Sequence, residues 1–207
     1  FWEDVRSGHW DIYAQRVDAS GNVLWTANGV PVCTAAGNQW FIEAVSDGMG
    51  GAIVTWEDSR SGTNFDIYAQ RIDSTGGRVW FGDEAVCTDS SDQRDPTLTA
   101  DGKGGAVIAW HDHRNGNTDI YAQRIASGGS PKWTPDGIPI CTAPNDQSGI
   151  GITLDATGAV VFVWSDMRND VDYDIYAQRV SLGGDILWPS DGIQVSQAPG
   201  NEYAMVV

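Results

Sequence analysis

Apolar and polar positions alternate along the chain in short blocks that predict β-strands joined by tight turns. In one stretch, "PTLTAD", "AVIAWHD", "DIYAQRI" and "KWTPDGIPICT" are separated by "GKGG", "HRNGNT" and "ASGGSP". Runs of β-branched and aromatic residues bounded by Gly, Asn and Asp are typical of antiparallel hairpins. No stretch has a 3.6-residue apolar period, so the sequence predicts no helix.

The same block pattern occurs four times. One tryptophan series is spaced by 54 residues, a second keeps nearly the same spacing, and "DIYAQR" begins at Asp11, Asp66, Asp119 and Asp174. Self-similarity over such a period indicates a solenoid, a propeller or an array of repeats. The two tryptophan series are Trp2, Trp56, Trp110 and Trp164, and Trp25, Trp80, Trp133 and Trp188.

Four strands per period predict an all-β fold, a β-propeller of four-stranded antiparallel blades. The nearly continuous apolar second strand ("GGAIVTW", "GGAVIAW", "GAVVFVW") fits a sheet that is covered on both faces. We therefore expect a single domain over residues 1–207. Its repeats run over about 1–44, 45–98, 99–152 and 153–207, with the first and last blade split between the termini.

The segment "ADGKGGAVIAWHDHRNGNTDIYAQRI" resembles the repeats of TolB-type propellers, which combine an Asp-Gly turn, an apolar strand, Asp-x-Arg and Asp-Ile-Tyr. The matching residues are Asp112, Arg114, Asp119, Ile120 and Tyr121, and the resemblance covers about half of each period. It implies the propeller fold and an exported protein. It implies no partner, because unrelated functions share such blades.

The two ends of the sequence match the interior of the repeat. "APGNEYAMVV" matches "AAGNQWFIEA", and "FWEDVR" matches "TWEDSR". Either four blades close into a ring, with Tyr203–Val207 beside Phe1–Glu3, or the chain is part of a longer propeller or array. Because both ends stop within strand patterns, we also expect self-association through open blade edges.

The formal net charge of −16 disfavours nucleic acid as a partner, because such a field repels phosphate. No apolar run is long enough to span a membrane. The sequence starts with Phe1, which suggests a processed product or an excised piece. Together with the TolB-type resemblance, this predicts an extracellular, cell-surface or periplasmic location.

Three cysteines lie at equivalent positions 54 residues apart, at Cys33, Cys87 and Cys141, and Ser196 takes the next such position. Residues one repeat apart are too distant for a disulfide. We expect these cysteines to be small buried side chains.

Residues that recur in every copy are expected to have a structural role. The short Asp side chain can accept N–H groups of its own turn, and an Arg can pair with a carboxylate across the hairpin. The alternative is one weak binding site per blade, multiplied by repetition. The recurring residues are Asp4, Arg6, Asp58, Arg60, Asp112, Arg114, Asp166 and Arg168.

Ligand-binding residues are expected where the copies differ, on the rim formed by hairpin turns and links between blades. Aromatic rings beside amides and carboxylates suit sugars, although equivalent aromatic residues can equally pack beneath each turn. The candidates are Trp10, Trp40, Phe65, Tyr173, Tyr203 and His113.

Metal-binding patterns are weak. His111 and His113 flank Asp112, but a surface pair without metal is the simpler interpretation. Asp170 and Asp172 begin a D-x-D-x-D run that suggests calcium, although Ile175 and Ser181 exclude an EF-hand loop. We predict no cofactor and keep a loose calcium site at Asp170 and Asp172 as the alternative.

No nucleophile elbow or catalytic triad is present, so no catalytic residue is assigned. The sequence favours a non-catalytic exported module that recognises carbohydrate or a protein surface. One alternative is a propeller enzyme of the glycoside hydrolase or lyase type, because carboxylates are abundant. The other is a structural repeat of a surface layer or adhesin.

Overall fold

A computed structural model describes residues 1–204, which form fifteen strands and no helix. The strands are β1 (Trp2–Asp4), β2 (Asp11–Ala14), β3 (Val30–Cys33), β4 (Gln39–Ser46), β5 (Ala52–Asp58), β6 (Asp66–Ile72), β7 (Glu84–Cys87), β8 (Gln93–Ala100), β9 (Ala106–Asp112), β10 (Asp119–Ile125), β11 (Ile138–Cys141), β12 (Gln147–Leu154), β13 (Val160–Asp166), β14 (Asp174–Val180) and β15 (Ile193–Ser196).

The strands form four antiparallel sheets in chain order. Sheet 1 contains β1–β3, sheet 2 β4–β7, sheet 3 β8–β11 and sheet 4 β12–β15. Within each sheet, consecutive strands are hydrogen-bonded neighbours. The all-β prediction and the antiparallel hairpins are confirmed. Among residues 1–204, no helix could span a membrane.

The hydrophobic core lies between successive sheets. Three clusters of buried side chains join sheets 1 and 2, sheets 2 and 3, and sheets 3 and 4. Trp56, Trp110 and Trp164, at equivalent positions of the second strand, are fully buried. The continuous apolar run of β9 is explained in this way, because sheets 2 and 4 cover its two faces.

The sheets begin earlier than the repeats that we counted from the sequence. Sheets 2, 3 and 4 start at Gln39, Gln93 and Gln147, whereas the repeats were counted from residues 45, 99 and 153. The first strand of each of these sheets begins with polar residues, so the apolar pattern of the sequence does not show where the strand starts. Each new sheet therefore begins before the end of the preceding repeat as counted from the sequence.

The closed-ring alternative places Tyr203–Val207 beside Phe1–Glu3. The described residues do not show this pairing. Within the described part of the chain, β1 pairs only with β2, and Tyr203 and Ala204 belong to no strand. Residues 205–207 lie outside the described residues. Within residues 1–204, the sheets do not close into a ring.

The three cysteines are buried and free, as their spacing predicts. Burial raises the pKa of each thiol to about 12. They are nevertheless more than apolar filling, because an arginine of the following sheet donates to each sulfur. Arg60 Nη2 lies 3.3 Å from Cys33 Sγ, and Arg114 and Arg168 bond Cys87 and Cys141 at 3.2 Å.

Candidate functional site

The recurring Asp and Arg residues hold each sheet together. Asp58 Oδ2 accepts Trp56 Nε1 at 2.8 Å and Arg60 Nη2 at 2.6 Å, and Asp58 Oδ1 accepts the Arg60 backbone N–H at 2.8 Å. The guanidinium of Arg60 lies 3.9 Å from the ring centroid of Tyr68. Asp4, Arg6, Asp112, Arg114, Asp166 and Arg168 form the equivalent pairs.

The expected bond from the turn to the aspartate is present, but the arginine does not pair across the hairpin. Arg60 bonds Asp58 of its own strand and Asp83 of the outer link, at 2.6 and 3.0 Å. The carboxylate across the hairpin, Asp66, instead accepts Asn64 Nδ2 at 3.0 Å. Although burial opposes ionisation, hydrogen bonds from Arg168 and Trp164 hold the pKa of Asp166 below its ordinary value.

At the residues of the predicted rim, the same hydrogen bonds connect each hairpin turn to the following link, and we call this arrangement a clamp. The Trp10 backbone N–H donates to Asn38 Oδ1 at 3.1 Å, and Gln39 N donates to the Trp10 carbonyl at 2.7 Å. The other three copies carry the same clamp, at Phe65 with Asp92, Thr118 with Asp146 and Tyr173 with Asn201.

The rim aromatics do not form one surface. Trp40 stacks on Phe65 with ring centroids 5.4 Å apart, and the Arg94 guanidinium covers the Phe65 ring at 3.5 Å. Tyr173 and Tyr203 form a separate tilted pair at 5.9 Å. Trp10 forms no aromatic pair among the described residues and is 41% exposed. Phe65 is therefore packed between other side chains, and this observation favours the packing alternative at that position.

The remaining ligand and metal candidates also stay apart. His113 is fixed by its backbone N–H, which donates to the Asp92 carbonyl at 3.1 Å. Asp172 accepts Asn169 Nδ2 and Gly200 N, both at 2.8 Å. No three His, Cys, Asp or Glu side chains within residues 1–204 are grouped to hold a metal ion. Calcium binding by Asp170 and Asp172 stays a prediction from the sequence, and both carboxylate oxygens of Asp172 accept hydrogen bonds in the structure.

A cavity of about 440 Å³ lies where the first strands of sheets 2, 3 and 4 converge. We call it the inner-strand cavity. It is lined by Phe41, Ile42, Glu43, Asp95, Pro96, Thr97, His111, Gly149 and Ile150. A second cavity, of about 450 Å³, lies between two hairpin turns, but its carboxylate, Asp47, is paired with Arg71 at 2.9 Å.

Three β-bulges build the inner-strand cavity. The register of β4 shifts between Trp40 and Glu43, that of β8 between Arg94 and Thr97, and that of β12 between Ser148 and Gly151. A bulge turns side chains away from their regular direction and is common beside functional sites. The equivalent residues Phe41, Asp95 and Gly149 have φ of 51°, 48° and 64°.

A positive φ in Phe41 and Asp95 is costly, because both residues carry a Cβ. A side chain of the preceding sheet holds each of these backbones in place. Phe41 N donates to Glu3 Oε1 at 2.8 Å, and Asp95 N donates to Glu57 Oε1 at 2.7 Å. Phe41 is 58% exposed despite its size.

The repeat symmetry is broken at His111. It occupies the position of Glu3 and Glu57, but its Nδ1 lies 3.1 Å from Asp95 Oδ2. This hydrogen bond lowers the pKa of Asp95. Burial acts in the opposite direction but has the smaller effect. The Asp95 side chain is 56% exposed, whereas His111 is 12% exposed. The cavity therefore presents an accessible carboxylate that is held ionised.

Glu57 has the opposite character and lies behind the cavity wall. Burial raises the pKa of Glu57, although the Asp95 N–H and the Arg94 guanidinium oppose that shift. Arg94 Nη1 lies 3.1 Å from Glu57 Oε2. Glu57 therefore supports the Asp95 backbone, while Asp95 and Glu43 supply the exposed carboxylates of the cavity.

Phe41 and Asp95 lie at the ends of links that the sequence assigns to the rim, but they were not singled out there, and Glu43 and Glu57 were assigned no role. The signal was present. The residue after the first tryptophan of each copy is Glu3, Glu57, His111 or Ser165, which varies between two invariant neighbours. Variation at a repeat position between two invariant residues would have directed attention to this site.

No family model matches the sequence, and no curated protein matches it either. Among solved structures, a candidate glycoside hydrolase from Parabacteroides distasonis ATCC 8503 is similar in fold, with a TM-score of 0.50 and 11% identity over 90% of this chain and 58% of that one. An endo-arabinase from Bacteroides thetaiotaomicron VPI-5482 has a TM-score of 0.48 and 18% identity over 76% and 62% of the two chains.

An α-L-arabinofuranosidase from Lactobacillus brevis has a TM-score of 0.48 and 15% identity, over 78% of this chain and 55% of that one. The chain thus spans between half and two thirds of the length of these three structures. At this level of identity, the likeness to the Parabacteroides protein concerns the fold alone.

Proposed function

We propose that the four sheets are blades of a β-propeller. Each sheet is an antiparallel meander, successive sheets bury a shared core, and the first strands of three sheets line one cavity. The fold likeness to a longer candidate glycoside hydrolase supports this arrangement. The TolB-type resemblance and an exported location remain part of the proposal on sequence grounds.

The inner-strand cavity is the glycan-binding site of this propeller. One observation carries this assignment: the three bulges place an exposed aromatic ring beside two exposed carboxylates at the place where the repeat symmetry is broken. The Phe41 ring provides an apolar face for a sugar ring, and Asp95 and Glu43 accept hydrogen bonds from its hydroxyl groups. None of the ligand-binding candidates that the sequence singled out on the rim lines this cavity.

Hydrolysis of a glycosidic bond is the second candidate function, and the ionised Asp95 favours it. Asp95 would take a proton from the water that attacks C1, and Glu43, the second exposed carboxyl group of the cavity, would be the proton donor to the leaving oxygen as the C1–O bond breaks. The fold likeness to a candidate glycoside hydrolase supports this alternative over the non-catalytic interpretation. A protein ligand or a surface-layer role has no comparable support.

A glycan array, followed by incubation with the polysaccharides that bind, tests both functions. We expect Phe41→Ala and Asp95→Asn to weaken glycan binding about tenfold or more, equivalent to about 1.4 kcal/mol. Asp185→Asn, an exposed carboxylate in the outer turn of sheet 4, should leave binding unchanged.

The outcomes separate the candidates. Release of reducing sugar that Asp95→Asn and Glu43→Gln both abolish would establish the hydrolase. Binding without turnover would establish a recognition module. Binding lost in Trp10→Ala but kept in Phe41→Ala would move the site back to the rim, and no binding to any glycan would overturn the proposal.

A further inference from the structure

Successive sheets are connected by a repeated set of contacts that we call the sheet joint. In each joint, the indole of one sheet donates to a turn carbonyl of the next sheet. Trp25 Nε1 bonds the Ser74 carbonyl at 3.2 Å, and the same bond joins Trp80 to Ser127 at 3.0 Å and Trp133 to Leu182 at 3.2 Å.

An arginine and a glycine complete the sheet joint. The arginine that ends the motif "DIYAQR" donates to the same carbonyl, from Arg16, Arg71 and Arg124, at 2.9, 3.1 and 3.1 Å. Two residues beyond that carbonyl lies a glycine with positive φ. A Cβ on Gly76, Gly129 or Gly184 would lie 3.1, 2.8 or 2.8 Å from the indole.

The joint also has a contact in the opposite direction. Arg60, Arg114 and Arg168 each reach back to the cysteine of the preceding sheet. The three joints share all four contacts. They therefore show which residues each face of a sheet needs in order to pack against a neighbouring sheet.

Within residues 1–204, sheets 4 and 1 carry the two halves of this joint that meet no other sheet. Sheet 4 has the donors, Trp188 and Arg179, with Ser196 at the cysteine position. Sheet 1 has the acceptor half, which consists of the Ala19 carbonyl and Gly21. It also has Arg6, which is equivalent to the arginines that bond the cysteines. Gly21 has φ of 84° and open space where the other glycines meet an indole.

We propose that sheet 4 of one copy docks against sheet 1 of a second copy of this chain through a fourth sheet joint. Trp188 Nε1 and Arg179 then donate to the Ala19 carbonyl of the second copy, the indole covers Gly21, and Arg6 reaches Ser196. Within residues 1–204, sheets 1 and 4 of one chain do not form this joint with each other. A second copy of this chain presents the complementary half at each of these two faces, and it is the occupant that we propose.

The contact is heterologous, because different faces meet, so assembly continues head to tail unless a ring closes. It uses the sheet faces, and thus differs from pairing of open strand edges. It is also independent of the glycan site.

Sedimentation velocity across a wide range of protein concentrations tests the proposal on the 207-residue chain. We expect the unmodified chain to form dimers and longer species. Trp188→Ala, which removes the donor half, and Gly21→Asn, which places a side chain under the incoming indole, should each give monomers. Asn tolerates the left-handed backbone, so the folded monomer should be retained. Phe81→Ser, at an exposed residue outside the joint, is the matched control and should still assemble.

Mixing provides the decisive measurement. Trp188→Ala keeps an intact sheet 1 face, and Gly21→Asn keeps an intact sheet 4 face, so their mixture should form 1:1 dimers and nothing larger. A monomeric unmodified chain would overturn the proposal, and so would a mixture that stays monomeric. If the chain is monomeric and both substitutions lower its melting temperature, the joint instead closes a ring within one chain.

Discussion

At the scale of single residues, most of the recurring motif serves the sheets themselves. In sheet 2, Ile67 is buried, Tyr68 lies under Arg60, and Gln70 bridges strand and turn by donating to the Gly82 carbonyl at 2.7 Å. Arg71 pairs with Asp47 of the neighbouring turn. These bonds recur in the other complete sheets, so they do not distinguish one copy from another. A binding site requires residues that differ, and these are the residues of the inner-strand cavity.

His111 is the residue that makes Asp95 different from its equivalents, and this can be measured. Because the hydrogen bond from His111 stabilises the ionised carboxylate, His111→Phe should raise the pKa of Asp95 towards its ordinary value. Carbon-detected NMR titration of the Asp95 carboxyl checks the shift. His113→Phe is the control, since His113 makes no such bond, and should move the Asp95 pKa much less. An unchanged titration in His111→Phe would contradict the assignment.

At the scale of strands and turns, the sequence was informative where local chemistry decides the outcome. The strands β5, β6, β9, β10, β13 and β14 coincide with runs of apolar and β-branched residues, and their hairpins with Gly, Asn and Asp clusters. The bulges were not predicted. Phe41 and Asp95 are ordinary L-residues, and nothing local favours φ above zero there. Their backbones are held by Glu3 and Glu57, which come from another sheet, so the cavity depends on contacts distant in sequence.

The sheet joints give a prediction that compares equivalent glycines. A Cβ at Gly129 would lie 2.8 Å from the Trp80 indole, whereas nothing lies within 4 Å of a Cβ at Gly21. Both glycines have positive φ, so Gly→Ala costs about 1–2 kcal/mol of backbone strain at either position. Overpacking adds about 1–3 kcal/mol at Gly129 only.

Urea unfolding of the two variants, at a concentration where the chain is monomeric, measures the difference. Gly129→Ala should lower the free energy of unfolding clearly more than Gly21→Ala. Equal losses at the two positions would show that backbone strain alone decides, and that the joint tolerates a larger residue.

At the scale of the whole molecule, two groups of carboxylates respond to acid in opposite ways. Burial raises the pKa of Glu57, Asp66 and Asp119. A carboxyl group whose pKa is higher in the folded than in the unfolded protein stabilises the fold when it is protonated. This contribution is complete below the unfolded pKa and is lost as the pH rises through the folded pKa. The net charge of −16 acts in the same direction, because protonation of surface carboxylates reduces repulsion.

The paired carboxylates act in the other direction. Despite burial, hydrogen bonds from Arg168 and Trp164 lower the pKa of Asp166, and turn N–H groups with Arg71 lower that of Asp47. Such groups contribute stability above their unfolded pKa, which is lost as the pH falls through the lowered folded value. The contacts of Asp166 with Arg168 and Trp164, and the Asp47–Arg71 ion pair, are therefore lost in strong acid.

These opposing groups predict that stability passes through a maximum in weak acid. The free energy of unfolding should rise as the pH falls from 7 towards about 4.5, where buried and surface carboxylates gain protons, and should drop below about 3.5, where the paired aspartates do. Urea unfolding at a series of pH values measures the curve. High salt should reduce the part that comes from surface repulsion and leave the part that comes from burial. Glu57→Gln should flatten the rise, because an amide of the same shape takes up no proton. A stability that only increases from pH 4 to pH 7 would mean that the ion-paired aspartates outweigh both the buried carboxyls and the acidic surface.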